Sequence, residues 1–175
     1  MRISAFCGIS VDGYLARSDD TFDFLKVGEG VPHGFSKFLK SVDVVVMGRR
    51  TFEVVRSLGH INLYGGKPLI VLSSSPLRFE SLRGKLEQMS GQPQEIVTQL
   101  QDRGFKHAYV DGGITIQTFL KSGLLDDITI TRVPVLIGQG IPLFGPLLHD
   151  VRLQHVRTRS YKGGLVQTVY KTNVE

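Results

Sequence analysis

The sequence predicts an α/β domain with a mixed, mostly parallel central sheet whose C-terminal strands run antiparallel. Three observations support this fold class. Apolar, β-rich runs alternate with helical patterns along most of the chain, which is typical of strands joined by crossover helices. The run from Val42 to Met47 is almost continuously apolar, as expected for a strand covered on both faces. Two closing strand patterns are separated only by a short glycine turn.

The strands of the parallel part are placed by their apolar runs. The first is predicted over Ile3 to Ile9, and it enters a turn at Asp12-Gly13. Further strands are predicted over Val42 to Met47, Lys67 to Leu72 and His107 to Asp111.

Two helices are predicted in the second half of the chain. One extends from about Pro93 to Arg103, because apolar residues recur on one face, the opening proline suits a first turn and Gly104 suits a stop. The other is a short helix over Ile114 to Leu120, followed by a strand from Ile128 to Val133.

The C-terminal third has a different character. The segment from Val133 to Phe144 is apolar but is broken by glycines and prolines. Strands are predicted over Val151 to Ser160 and Gly164 to Thr172, with a turn at Lys162-Gly163-Gly164 between them. Such a short connection favours antiparallel pairing. Because no repeat or linker interrupts the pattern, we expect residues 1–175 to form a single domain.

Composition limits the classes of function. Hydrophobic residues make up 41% and charged residues 21% of the 175 residues, which suits a globular domain without metal or disulfide support. The single cysteine, Cys7, lies in the first strand; we expect an inert core thiol and a reducing compartment. The N-terminus lacks a signal-peptide pattern, and no apolar run approaches the roughly 20 residues of a membrane helix. We therefore predict a cytoplasmic protein without a membrane partner.

The formal net charge of +5 raises the question of nucleic-acid binding. The densest basic group consists of Arg152, Arg157, Arg159 and Lys162. A solvated face or a phosphate-binding track would explain this group, and the scatter of the other positive residues favours the solvated face. We expect no nucleic-acid partner, whereas the charge suits a small anionic ligand such as a nucleotide.

The first loop with chemical interest directly follows the Val42 to Met47 strand. It contains Gly48, Arg49, Arg50 and Thr51. A glycine that opens a helix lets backbone N–H groups approach a phosphate, and the two guanidinium groups and the hydroxyl add donors. An ordinary strand-to-helix turn with two exposed arginines explains the same residues, so both interpretations stay open.

Two more loops follow predicted strands. The loop from Leu72 to Pro76 offers serine hydroxyls for a ribose 2′-phosphate or an adenine edge, although taken alone it favours an ordinary turn before proline. In Val110 to Gly113 the paired glycines permit a close backbone approach, or form an ordinary turn; a Rossmann GxGxxG fingerprint is absent. In the opening segment, Gly8 would let a flat ring lie against the first strand, covered by Leu15 and Ala16. Since ligands of α/β sheets bind at the carboxyl ends of the strands, these segments together predict one site.

The order of SVDGYLA, MGRRTF, PLIVLSSSP, YVDGG and VLIGQGIPLFG resembles the dihydrofolate reductase-like superfamily. It is most similar to the branch that contains the reductase domain of the bifunctional riboflavin-biosynthesis deaminase-reductase. The resemblance extends over about Arg2 to Phe144 and implies a three-layer fold around the mixed sheet. It also implies NADPH-dependent hydride transfer to a small pterin-like or pyrimidine-like substrate. Related reductases pair through the region of Val133 to Phe144, so a homodimer or internal packing would account for its apolar character.

The resemblance further implies which residues contact the cofactor. The nicotinamide would be lined by Gly8, Leu15 and Ala16, and the phosphates would be bound by Gly48, Arg49, Arg50 and Thr51, with Arg49 near the 2′-phosphate. The adenosine would be held by Leu72, Ser73 and Ser74. The pyrophosphate would be contacted by Gly112, Gly113, Ile114, Thr115 and Ile116. The paired glycines of the last group would be joined by the cis peptide that is familiar in this superfamily.

Two departures from true dihydrofolate reductases argue against folate as the substrate. Gly34 stands where those enzymes carry a pterin-binding acid, and Lys67 stands where an arginine would clamp the folate glutamate. The riboflavin-type reductases instead have an acid just before the paired glycines, and Asp111 has that position. Asp111 is therefore the first candidate for substrate contact or acid assistance, with Asp23 and Glu29 behind it; a turn-forming aspartate is the alternative.

Several residues allow more than one interpretation. The side chains of Phe24, Phe35 and Phe38 would either line the substrate site or pack in the core. No zinc motif of a deaminase occurs and the histidines lack metal spacing, so we expect no metal. The missing carboxylate at Gly34 supports a different class, a nucleotide-binding sensor or interaction domain that kept the fold but lost catalysis.

Overall fold

The computed structural model describes residues 1–77 and 86–172. Its main feature is an eight-stranded sheet. The strands of this sheet are β1 (Arg2–Ser10), β3 (Val44–Gly48), β4 (Leu69–Leu72), β5 (Leu86–Met89), β6 (His107–Asp111), β7 (Asp127–Val133), β9 (Gln154–Ser160) and β10 (Val166–Lys171). Their order across the sheet is β5-β4-β3-β6-β1-β7-β10-β9. A two-stranded ribbon pairs β2 (Tyr14–Ala16) with β8 (Ile141–Pro142).

The direction of the strands confirms the predicted fold class. From β5 to β7 all neighbours are parallel, whereas β10 runs antiparallel to both β7 and β9. The helices are α1 (Phe35–Ser41), α2 (Arg49–Ser57), α3 (Pro93–Asp102) and α4 (Gly113–Lys121). Because β1, β3, β4 and β6 are parallel neighbours, their carboxyl ends lie along one edge of the sheet.

Two hydrophobic cores lie on the two faces of the sheet. One contains the buried faces of α3 and α4, among them Ile96 and Phe119, together with Cys7 of β1. The other contains Phe52 of α2 and Leu39 of α1. Burial raises the pKa of the Cys7 thiol, and the nearby Asp111 carboxylate adds to the effect. The thiol therefore stays protonated, as expected for an inert core residue.

The segment from Val133 to Phe144 divides between interior and surface. The Asp12 carboxylate accepts hydrogen bonds from the backbone N–H groups of Ile137, at 3.2 Å, and Gly138, at 2.7 Å. Leu143 is buried in the core, whereas Leu136 is 71% exposed. Internal packing thus accounts for one part of the segment and leaves another open to solvent.

Over the described residues, no helix combines the length and apolar character needed to cross a membrane.

Candidate functional site

A cavity of about 510 Å³ opens at the carboxyl edge of the parallel strands, where the N-termini of α2 and α4 lie. Most of the residues singled out from the sequence line it. These are Gly8, Leu15, Ala16, Gly48, Arg49, Arg50, Thr51, Leu72, Asp111, Gly112, Gly113, Ile114 and Thr115. The structure thus brings together four segments that are far apart in the chain. Whether they bind a cofactor stays a prediction.

Three of the predicted cofactor residues do not line this cavity. The Ile116 side chain is fully buried in the core, so it has no access to a ligand. Ser73 and Ser74 lie beyond the cavity, and the Ser73 hydroxyl donates to the Ser75 carbonyl at 2.7 Å. The serine-rich loop therefore uses the first of its hydroxyls to close its own turn.

Two helix N-termini meet at the cavity. Gly48 precedes α2 and Gly112 precedes α4, and within the described chain no side chain caps either helix. The first N–H groups of a helix have no intrahelical partner, and the helix dipole makes this end partially positive. Two such ends beside one cavity form a site suited to an anion.

The two helix starts pack against each other through glycine and threonine. A Cβ at Gly48 would lie 3.0 Å from Oγ1 of Thr115, and a Cβ at Gly112 would collide with the Thr51 hydroxyl. Thus each helix places a threonine against the glycine that opens the other. Gly112 also has φ of 91° and ψ of 139°, a conformation that is nearly restricted to glycine.

The prediction of a cis peptide between the paired glycines is wrong, because the described residues contain no cis peptide bond. The positive φ of Gly112 turns the chain from β6 into α4 instead.

The two arginines at the start of α2 already have partners. Arg49 Nε lies 2.7 Å from Glu53 Oε1, one turn along the same helix. Arg50 contacts Asp20 Oδ2 through Nε at 3.0 Å and Nη2 at 2.8 Å. All four side chains are at least partly exposed, and exposed ion pairs contribute little stability. A phosphate can therefore compete with Glu53 and Asp20 for these guanidinium groups.

Asp111 ends β6 at the floor of the cavity. Its Oδ2 accepts a hydrogen bond from the Tyr64 hydroxyl at 2.5 Å, and its Oδ1 accepts one from the Gly112 N–H at 2.8 Å. Burial raises the pKa of the Asp111 carboxyl, although these hydrogen bonds act in the opposite direction. Burial also raises the pKa of the Tyr64 phenol, and the Asp111 charge strengthens this effect. The pair is therefore a hydrogen-bonded unit that retains a proton on the phenol.

A smaller cavity of about 220 Å³ lies next to the first. The two share Phe6, Cys7, Gly8 and Leu25 as lining residues. A methyl of Leu25 lies 2.9 Å from the position that a Cβ of Gly8 would have, so this side chain covers the strand at Gly8. The second cavity is also lined by residues from β7, from the start of α1 and from the turn before β10: Thr131, Val133, His33, Phe35 and Leu165.

The remaining sequence candidates lie elsewhere. Asp23 is exposed and paired with Arg17, with 2.6 Å between Oδ1 and Nε, and Glu29 is exposed as well. Lys67 donates from Nζ to the Val42 carbonyl at 2.6 Å. None of these three candidates lines either cavity.

The aromatic candidates divide as follows. Phe35 lines the second cavity, Phe38 packs against the core that contains Phe52, and Phe24 is buried. Gly34 precedes α1 with φ of 90°, and no atom lies near the position of a Cβ there.

The site also contains residues that the sequence did not indicate. A 3₁₀ turn over His60–Tyr64 brings Tyr64 to Asp111. Another 3₁₀ turn, over Asp23–Gly28, brings Leu25 to the two cavities. His33 and Thr131 meet at the second cavity although 98 positions of sequence separate them. The sequences around these four residues have no pattern that indicates a functional site. Within residues 1–77 and 86–172, no cluster of three His, Cys, Asp or Glu side chains is arranged to hold a metal ion.

Comparison with known proteins agrees with this architecture. The chain is 29% identical to the uncharacterized protein YwjB of Bacillus subtilis over 167 residues, which cover 94% of each chain. A solved structure from Shewanella sp. PV-4, of a protein named for riboflavin biosynthesis, is 35% identical with a TM-score of 0.90, covering 99% of this chain and all of the other.

More distant similarity concerns the fold. Dihydrofolate reductase from Enterococcus faecalis is 16% identical with a TM-score of 0.69 and covers 99% of this chain and 97% of its own. The predicted dihydrofolate reductase-like fold is therefore confirmed, and it is a reductase-type fold. The family described as the RibD C-terminal domain matches residues 2–167. This chain accordingly belongs to the RibD C-terminal domain family.

Proposed function

We propose that the protein is an NADPH-dependent reductase of a small pterin-like or pyrimidine-like substrate. The observation that carries this proposal is the meeting of two uncapped helix N-termini with Arg49 and Arg50 at one cavity. Backbone N–H groups and guanidinium groups together suit the phosphates of a dinucleotide. Membership of the RibD C-terminal domain family supports the same class of reaction.

The described residues fit such a cofactor. The cavity lining combines the charged side chains of Arg49 and Arg50 with apolar side chains, among them Leu15 and Ile141. When bound, NADPH would supply a hydride to the carbon of a C=N or C=O bond while the heteroatom takes up a proton. The two helix starts would hold the phosphates, and the apolar part of the lining would exclude water from the reacting carbon.

Asp111 is proposed to contact the substrate. Each oxygen of its carboxylate accepts one hydrogen bond within the protein, which fixes the group but leaves lone pairs for an amino or hydroxyl group.

The test has two stages. Calorimetry measures binding of NADPH and NADH to the purified protein, and absorbance at 340 nm then follows NADPH oxidation with pterins, pyrimidines and small aldehydes. The proposal requires NADPH binding and oxidation that depends on one of these substrates. If calorimetry shows no heat at millimolar nucleotide, the proposal fails. Binding without oxidation by any substrate supports the sensor or interaction domain instead.

A further inference from the structure

We propose that His33 is the catalytic proton donor, and that Thr131 holds the substrate ring beside it in the second cavity. This inference rests on the proposed reductase function. It assigns the role that Gly34 cannot fill to the neighbouring residue, whose side chain does line a cavity.

The second cavity lies where a substrate ring needs to be. It shares Gly8 and Leu25 with the larger cavity, so a ring inside it is adjacent to the proposed nicotinamide end. Its volume of about 220 Å³ is below the range of about 300–1,000 Å³ for sites that enclose drug-sized ligands, so it suits the ring portion of a substrate. The aromatic rings of Phe6 and Phe35 on its wall favour a flat, partly apolar group.

The hydrogen bonds of Thr131 leave its hydroxyl proton free for a ligand. Gln167 Nε2 donates to Thr131 Oγ1 at 2.9 Å and to the His33 carbonyl at 2.8 Å. The hydroxyl thus acts as an acceptor towards Gln167, and within the described residues its hydrogen has no acceptor. Since Thr131 is only 3% exposed and lines the second cavity, a carbonyl or ring nitrogen in that cavity can accept this hydrogen.

The hydrogen bonds of His33 leave its other ring nitrogen free in the same way. Nδ1 lies 2.8 Å from the Val31 carbonyl, and because a carbonyl only accepts, Nδ1 carries a hydrogen. Nε2 has no hydrogen-bond partner in the described part of the chain. In the imidazolium form Nε2 is therefore a proton donor that no protein group engages.

Other groups near the second cavity are poor donors. Cys7 is the other titratable side chain on the described part of its wall, and burial raises the pKa of its thiol. Asp111 lines only the larger cavity, where Tyr64 and Gly112 already engage both of its oxygens. His33 is half-buried, so it can regain a proton from solvent after each turnover.

The chemical step balances. Hydride adds to the ring carbon of a C=N or C=O bond, the π electrons move to the heteroatom, and that atom takes the proton from His33 Nε2. Neutral imidazole remains, NADPH has become NADP⁺, and solvent returns the proton.

The binding test uses 4(3H)-pyrimidinone as a ring probe with NADP⁺-saturated, ¹⁵N-labelled protein, so that no reduction occurs. The His33 Nε2 resonance, identified by its loss in His33→Gln, is expected to shift on titration. His155 serves as the control, because it lies on exposed β9 with Nε2 bonded to Thr158. Calorimetry should show about tenfold weaker probe binding for Thr131→Val, as the loss of one hydrogen bond predicts.

The kinetic test compares His33→Gln with His155→Gln on the substrate found by the 340 nm screen. Glutamine can donate a hydrogen bond but releases no proton, so we expect kcat to fall about 100-fold with little change in KM. NADPH affinity should match the wild type in every variant, which separates this inference from the proposed function, and the melting temperatures of His33→Gln and His155→Gln should also be unchanged. An unchanged kcat in His33→Gln, unchanged probe binding in Thr131→Val, or a His33 resonance that does not move would each overturn the inference.

Discussion

Arg49 and Arg50 are adjacent in the chain, yet their surroundings differ. Arg49 pairs with Glu53 on its own helix, whereas Arg50 ties α2 to the loop that contains Asp20. Asp20 is the only non-glycine residue with positive φ in the described chain, at 69°. Release of Arg49 from its neighbour therefore disturbs no other segment, and this makes Arg49 the more suitable position for a test of phosphate binding.

Replacing Arg49 with alanine should weaken NADPH binding and leave NADH binding nearly unchanged. The loss of a charge-assisted hydrogen bond to the 2′-phosphate costs about 1.5–3 kcal/mol, or roughly one to two decades in affinity. Calorimetry with both nucleotides measures the effect, and Arg56→Ala, in the last turn of α2, is the matched control. Equal losses for the two nucleotides would remove the 2′-phosphate role from Arg49.

The Asp111 carboxyl should make stability fall as the pH rises. Its folded pKa is raised above the ordinary value of about 3.9, chiefly by burial. The native state therefore binds the proton more tightly than the unfolded state, and the resulting stabilisation, present below the unfolded pKa, is lost as the pH rises through the folded pKa.

Urea denaturation of wild type and Asp111→Asn between pH 3 and 8 checks this sign. The variant should gain stability relative to wild type as the pH increases. In the 340 nm assay of the proposed reaction, the variant should oxidise NADPH more slowly than wild type. A constant stability difference across this range would show that Asp111 has an ordinary pKa in the folded protein.

At the level of single residues, the sequence indicated much of the lining of the larger cavity but not Tyr64, His33 or Thr131. Gly48 and Asp111 end apolar strands and Thr51 lies just beyond one, and that position alone indicates an edge of the sheet. Tyr64, His33 and Thr131 reach the site only because separate elements converge there in the fold. Their local sequences contain no signal of that convergence.

Helices and strands were predictable where their sequence pattern is strong. The strand His107–Asp111 has the predicted bounds, and α3 differs from its prediction by one residue at its end. The short strands β2 and β5 were missed: β5 is an edge strand with a single buried side chain, Met89, so it lacks an apolar run. The predicted strand from Val151 begins only at Gln154, where pairing with β10 begins.

Where α2 and α4 meet, glycine is required at 112 for two reasons. A side chain there would collide with Thr51 and would also have to adopt φ of 91°. We expect Gly112→Ala to destabilise the protein by about 2–4 kcal/mol, the sum of backbone strain and overpacking. Gly13→Ala is the control, because Gly13 has φ of 92° but nothing near its Cβ position. Thermal and urea unfolding should show a clearly larger loss at 112; equal losses would mean that contact with Thr51 is unimportant.

At the scale of the whole molecule, an edge strand and several apolar side chains are exposed. The edge strand β9 is exposed along its whole length, and the exposed apolar residues Leu136, Leu148 and Leu153 come from the same C-terminal region. An open strand edge and exposed apolar side chains each favour association with a second copy. This supports the homodimer that the family resemblance implies.

We therefore expect a dimer in sedimentation equilibrium at micromolar concentration. Leu136→Glu should shift the protein towards monomer, because it buries a charge in the proposed contact. Leu58→Glu, at an exposed apolar position after α2, should leave the dimer intact. A monomeric wild type, or a dimer insensitive to Leu136→Glu, would contradict this assembly.

The two glycine–threonine contacts between α2 and α4 have unequal freedom to vary. Gly48 has an ordinary φ of −74°, and only Thr115 restricts the space beside it. Selection from a library randomised at 48 and 115 should thus recover Gly48→Ala together with a smaller partner at 115. In a library randomised at 51 and 112, glycine should return at 112 whatever accompanies it. The start of α2 can therefore vary through paired substitutions, whereas the backbone conformation at Gly112 fixes the start of α4.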